Sequence, residues 1–350
     1  MKRRSQCAAR LGTMIVLALS AFSAMADHHV TKVMSGLDNP RGLAFGPEGA
    51  LYVAEAGRGG SGPCWTNMAI NEVRCYGPTG AITRLWRGEQ ERVVSGLPSH
   101  ALPDGSSASG PTDISFQGRG GAYITLGLGG GEEARDALGS LFGNLIHMSA
   151  SGKWRVVADI LAYEDEANPA GGPVDSNPFA VLAGPGERLV VDAGGNSLLR
   201  MDANGTLSTV AVFPSRPQRA TDSVPTSVAI GPDSAYYVGE LTGFPFAAGA
   251  ANVYRVVPGV APAVYAGGFK TIMDLAFGPD GSLYVVEHAS GGFFSGPGRL
   301  LRIAPNGVRT TVVDGLIRPT SVAVGADGAL YVTNNGVAPG LGEVLKITPQ

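Results

Sequence analysis

The chain has 350 residues, 52 of them glycine and 24 proline, with 44% apolar residues and a formal charge of −3. Such a composition fits a fold of many tight turns and few helices, and its regular short apolar runs exclude a largely disordered chain. The mildly acidic balance argues against nucleic acid and anionic membrane surfaces as partners.

Lys2, Arg3 and Arg4 precede an apolar run over residues 14–25, and Ala24-Met25-Ala26 fits a signal-peptidase site. The run is too short to span a bilayer and a small-residue motif follows it. Residues 1–26 therefore read as a removable secretory signal and 27–350 as the mature domain. Cys7 leaves with the signal, and losing Lys2, Arg3, Arg4 and Arg10 takes the formal charge from −3 to −7. No other apolar stretch approaches spanning length, so a periplasmic or secreted protein with no membrane span is expected.

One phrase then recurs along the chain, clearest over residues 274–287. Residues 275–277 read as a short strand, Gly278-Pro279-Asp280-Gly281 as a turn, and 283–286 as a second strand rich in β-formers. Equivalent hairpins are marked by Gly46, Gln117, Gly184, Gly231, Gly278 and Gly325. The last four markers are 47 residues apart, and the first two gaps are 71 and 67. A fixed period with longer early repeats predicts stacked β-units carrying loop insertions. A third strand, a turn and a fourth strand follow the hairpin in the first five repeats, as at 299–303, Pro305-Asn306-Gly307 and 309–313. Four antiparallel strands repeated six times predict an all-β, six-bladed β-propeller.

The sixth repeat stops after its third strand, at 343–347, while residues 30–37 end in a Gly36-Leu37 that matches the fourth-strand endings Gly96-Leu97 and Gly315-Leu316. The N-terminal strand is therefore expected to complete the last blade and remove the open edge, giving a closed ring that acts as a monomer. The long connections, at 56–80, 127–143, 241–251 and 288–298 within blades and at 95–111, 162–178 and 213–225 between them, all fall on one face. That face is the expected docking surface for a small molecule or protein. Cys64 and Cys75 read as a disulfide pinning the first insertion, as an oxidising compartment allows.

Nine residues beyond their markers stand Glu55, Glu240, Glu287 and Asn334, and the first strands contribute Asp113 and Asp274. Three glutamates and an asparagine in equivalent slots would make an oxygen-rich ring suited to a hard cation such as Ca²⁺. The competing reading has them bonding exposed amides at strand ends. His288 follows Glu287 and is a candidate general base, although no serine lies in a nucleophile-elbow pattern.

Several stretches resemble the ScyD/ScyE family of exported, NHL-repeat-like propellers. They include Gly36-Leu37-Asp38-Asn39-Pro40-Arg41-Gly42, Tyr163-Glu164, the run from Gly171 through Asp175-Ser176-Asn177-Pro178, and Asp192-Ala193-Gly194-Gly195-Asn196. The resemblance covers nearly all of the mature chain and implies export and fold, with no catalytic residues to carry over. Six-bladed lactonase-like hydrolases, which use an axial Ca²⁺, are the enzymatic alternative that the glutamate ring would imitate. Asn39-Pro40-Arg41-Gly42 and Val286-Glu287-His288 also look like fragments of quinoprotein sugar dehydrogenases, but their catalytic histidine would fall where this chain has Pro111-Thr112. The sequence is thus read as a binding or scaffold propeller, with a Ca²⁺-dependent hydrolase as the alternative.

Overall fold

The computed structural model describes residues 28–67, 71–119, 121–214, 221–291 and 295–349. Residues 1–26, expected to be a secretory signal, lie outside the described residues. Six antiparallel sheets follow one another along the chain, five of four strands and one of five. The fifth blade shows the plan: Ile272–Phe277, Leu283–Glu287, Gly298–Ile303 and Arg309–Leu316, each hydrogen-bonded to the next. No helix among the described residues is long and apolar enough to cross a membrane.

The repeated phrase folds as its residues dictate. In the fifth blade Gly281 N–H donates to Gly278 O at 3.0 Å, and Gly281 sits at φ +77°. The marker glycine is needed for another reason: a Cβ on Gly278 would lie 3.0 Å from the ring of Tyr284, which folds back over the turn. Gly46 with Tyr52, Gly231 with Tyr237 and Gly325 with Tyr331 repeat the arrangement. Alternating residues of each sheet then pack against the neighbouring blade, so the core lies between blades. Tyr52 and Ile82 of the first blade, for example, join one cluster with Ile114, Ile124 and Ile146 of the second.

The ring closes through its termini. His28–Leu37 runs antiparallel to Gly342–Pro349, with Val30 opposite Ile347 and Leu37 opposite Gly342. Met34, Leu37 and Val344 are buried there. The first blade departs from the expected four strands. Its third strand, Glu72–Trp86, is long enough to pair also with Cys64–Asn67, and the Cys64–Cys75 disulfide ties that extra strand down. The connections at 127–143 and 162–178 carry helices α1 (Glu132–Leu138) and α2 (Ile160–Ala167).

This geometry makes two predictions about stability. Deleting residues 27–34 should strip the last blade of its closing strand, lowering the melting temperature and producing aggregates in size-exclusion chromatography. Ser234 occupies the turn position of Gly281 but must hold φ +62°. Ser234→Gly should therefore stabilise the fold by about 1 kcal/mol or less, read as a higher urea midpoint, because relieved left-handed strain outweighs the added chain entropy.

Candidate functional site

The first strand of every blade faces the central axis. Residues from all six, among them Arg41, Thr112, Thr226 and Thr320, surround a cavity of about 10 Å³, room for a single water. Asp113 and Asp274 meet here from blades two and five, on opposite sides of the ring. Each carboxylate accepts the next amide of its own strand and one from the neighbouring blade. Asp113 takes Ile114 N–H and Val181 N–H, both at 2.8 Å, and Asp274 takes Leu275 N–H at 2.8 Å and Val322 N–H at 3.0 Å. Burial pushes both upward, Asp274 to about 6, and the facing Asp274 charge adds to the upward push on Asp113. Gly42 leaves the space Asp113 fills, since a Cβ there would lie 2.0 Å from its Oδ1.

The residues nine positions beyond the markers do not join that pair. Each is held at the end of its second strand by the connection arriving from the previous blade. Glu55 accepts Asp38 N–H at 2.6 Å, Arg92 Nη2–H at 2.7 Å and the Thr83 hydroxyl. Glu287 accepts Lys270 N–H at 2.9 Å and the Arg299 guanidinium. Glu240 takes the Ser223 hydroxyl and Asn252 Nδ2–H at 2.7 Å, while Asn334 takes Ile317 N–H at 2.7 Å and donates to Glu343 at 2.9 Å. This donor set does not fit Ca²⁺, which needs six to eight free oxygens at about 2.3–2.6 Å. Among the described residues, no group of three His, Cys, Asp or Glu is arranged to hold a metal ion.

His288 is buried against the sixth blade, where its Nδ1–H donates to Pro319 O at 3.0 Å. Burial, with the Arg41 and Arg318 charges behind it, lowers its pKa to about 3 and keeps the ring neutral. Pro111 and Thr112 open the first strand of blade two, and the Thr112 hydroxyl donates to Gly110 O.

A different group of acids assembles on the long-loop face, between blades two, three and four. The connection at 162–178 is stitched to blade two by Gly129 N–H to Ser176 O at 3.0 Å and Leu128 N–H to Asn177 Oδ1 at 3.1 Å. Asn196 holds the next connection by accepting Val224 N–H at 2.9 Å. Two adjoining cavities of about 140 Å³ each open between these loops, sharing Asp175, Gly194, Asn196 and Asp222, with Glu164 lining one. Helix α2 buries Ile160 and, one turn later, Glu164 on the same face. Asp192 stands behind, held by Asn177 N–H at 2.6 Å and the Ser176 hydroxyl at 2.8 Å.

No family profile and no curated protein matches the chain. Solved structures match it in shape. An oxidoreductase from Thermus thermophilus, described as a glucose dehydrogenase, gives a TM-score of 0.61 at 20% identity, covering 92% of this chain and 100% of its own. A gluconolactonase from Xanthomonas campestris gives 0.56 at 10% identity, covering 93% and 91%. The PQQ-bound aldose sugar dehydrogenase of Streptomyces coelicolor gives 0.55 at 16% identity, covering 92% and 99%. At these identities the likeness is one of fold.

The residue spacing pointed to the axis and passed over Glu164, Asp175 and Asp222, which belong to no repeat position. The available signal was the set of stretches Tyr163-Glu164, Asp175-Ser176-Asn177-Pro178 and Asp192 through Asn196, which the fold gathers at one place. Lost hydration, then Asp192 and Asp175, raise Glu164 from 4.5 to about 7. A carboxyl raised in the folded state favours folding while protonated, and that advantage is lost as pH climbs through the folded value. Glu164→Gln should therefore gain stability over the wild type as pH rises from 4.5 to 7, and hold that gain at pH 8. Chemical denaturation at pH 4.5 and pH 8 measures both ends.

Proposed function

We propose that this chain is an exported ligand- or protein-binding propeller of the ScyD/ScyE type that works through its long-loop face. One observation carries the reading: connections from three blades converge on an acid-lined cavity of about 140 Å³, whereas the axial cavity holds only about 10 Å³. Ligand sites gather where a rigid scaffold presents several loops together. Export is supported by the leader-like first 26 residues and by the Cys64–Cys75 disulfide, which belongs to an oxidising compartment.

The competing reading is Ca²⁺-dependent lactone or ester hydrolysis. It draws on the fold shared with a gluconolactonase, and is opposed by the guanidinium, amide and hydroxyl partners already occupying Glu55, Glu240 and Glu287. Two measurements separate the readings. With gluconolactone or p-nitrophenyl acetate, turnover should stay at the uncatalysed background with or without Ca²⁺. Neither Ca²⁺ nor chelator should shift the melting temperature, since no mass-action stabilisation is expected. Ca²⁺-stimulated turnover abolished by Glu287→Gln would establish the hydrolase instead.

A further inference from the structure

We infer that the acidic cavity between blades two, three and four receives a primary alkylammonium group, presented by the ligand of the binding module proposed above. The inference rests on that reading and specifies what its site recognises.

The distribution of charge is the starting point. Elsewhere in the protein, buried carboxylates are matched to donors: Glu55 to Arg92, Glu287 to Arg299, Asp113 and Asp274 to backbone amides. Glu164 is the exception. It is only 2% exposed, and its Oε2 is the one buried carboxylate oxygen among the described residues without a hydrogen-bond donor. An unsatisfied buried acceptor is costly, more so for a charged group. None of the described residues lining either cavity is Lys, Arg or His.

The backbone is shaped to bring the acids together. A Cβ on Gly195 would lie 2.6 Å from Glu164 Oε2 and 3.2 Å from Asp192 Oδ2, and one on Gly194 would lie 2.8 Å from Asp175 Oδ1. This glycine pair therefore admits three carboxylates to one turn, with Asp222 across the cavity. Like charges at close range need relief by protons or by a cation.

Size and donor chemistry narrow the cation. A cavity of about 140 Å³ takes a small head group and leaves the rest of a ligand outside. Directly bound Ca²⁺ would require a tight cluster of oxygens, and no three acids among the described residues are arranged that way. An ammonium brings three N–H donors of its own, and charge-assisted bonds to carboxylates are the strong kind. Glu164 Oε2 supplies the missing acceptor at the floor, and Asp175 and Asp222 supply charge at the mouth.

The test uses the mature chain at pH 8, with n-butylammonium, 1-butanol, tetramethylammonium and Ca²⁺ titrated separately at constant ionic strength. Binding is read by thermal shift and calorimetry. Butylammonium should bind saturably and raise the melting temperature, while butanol, which lacks charge, and tetramethylammonium, which lacks N–H donors, should not. Glu164→Gln should weaken butylammonium binding at least tenfold, and Asp222→Asn, at a half-exposed position, several-fold should the first variant fail to fold. Equal responses to butylammonium and tetramethylammonium would overturn the inference, as would wild-type affinity in a folded Glu164→Gln or in Asp222→Asn. Micromolar Ca²⁺ binding lost on Glu164→Gln would overturn it in favour of a metal site. Failure here leaves the lactone and chelator measurements unaffected, so the ligand class and the binding-module reading fall separately.

Discussion

Every blade of a propeller has an inner strand with one edge unpaired, and that edge faces a place where water is scarce. Its amides must find acceptors, because a buried N–H without one costs about 1–3 kcal/mol. Adjacent inner strands diverge around the axis, so side chains supply the acceptors. Asp113 reaches Val181 N–H, Asp274 reaches Val322 N–H, and Ser321 accepts Leu43 N–H at 3.0 Å. Hydroxyls close the remaining gaps from the other side, as Thr226 does to Ile272 O at 2.8 Å and Thr320 to Pro40 O at 2.8 Å. The ring holds its diameter through these short polar bridges, and the apolar packing between blades fills in around them.

The same requirement governs the outer ends. In four blades the connection arriving from the previous blade brings in an amide or hydroxyl, and the second strand answers with an acid or amide side chain. Glu55, Glu240, Glu287 and Asn334 thereby fasten successive blades, two of them backed by arginine. A carboxylate serving three donors has little left for a ligand. The long-loop face differs at Glu164, where a buried oxygen is left without a donor among the described residues.

How much of this is legible in sequence depends on whether the feature repeats. The hairpins, the blade number and the closing strand rest on glycine turns and Gly-Leu endings that recur at set intervals, and the structure places them as expected. Equivalent positions in a ring lie on a common circle, but spacing says nothing of its radius. Asp113 and Asp274 lie on the inner circle, while Glu55, Glu240 and Glu287 stand on an outer one among their own partners. The strand Cys64–Asn67 has no alternating pattern to announce it and is held by a disulfide and a long neighbour. The acidic cavity is assembled from Glu164 on helix α2 and from loop residues such as Asp175, Gly194 and Asp222, and only the fold brings them together.

The closing strand also sets an order on the making of the protein. His28–Leu37 leaves the ribosome before any blade exists, yet its partner Gly342–Pro349 emerges only after all six hairpins have been made. Contacts so distant in sequence form late and slowly. Until then the first strand must wait as an unpaired edge, and the sixth blade cannot form before residues 342–349 have been made. Ring closure therefore doubles as a check on the sixth blade: a chain cut short before Gly342–Pro349 has no way to cover its first strand.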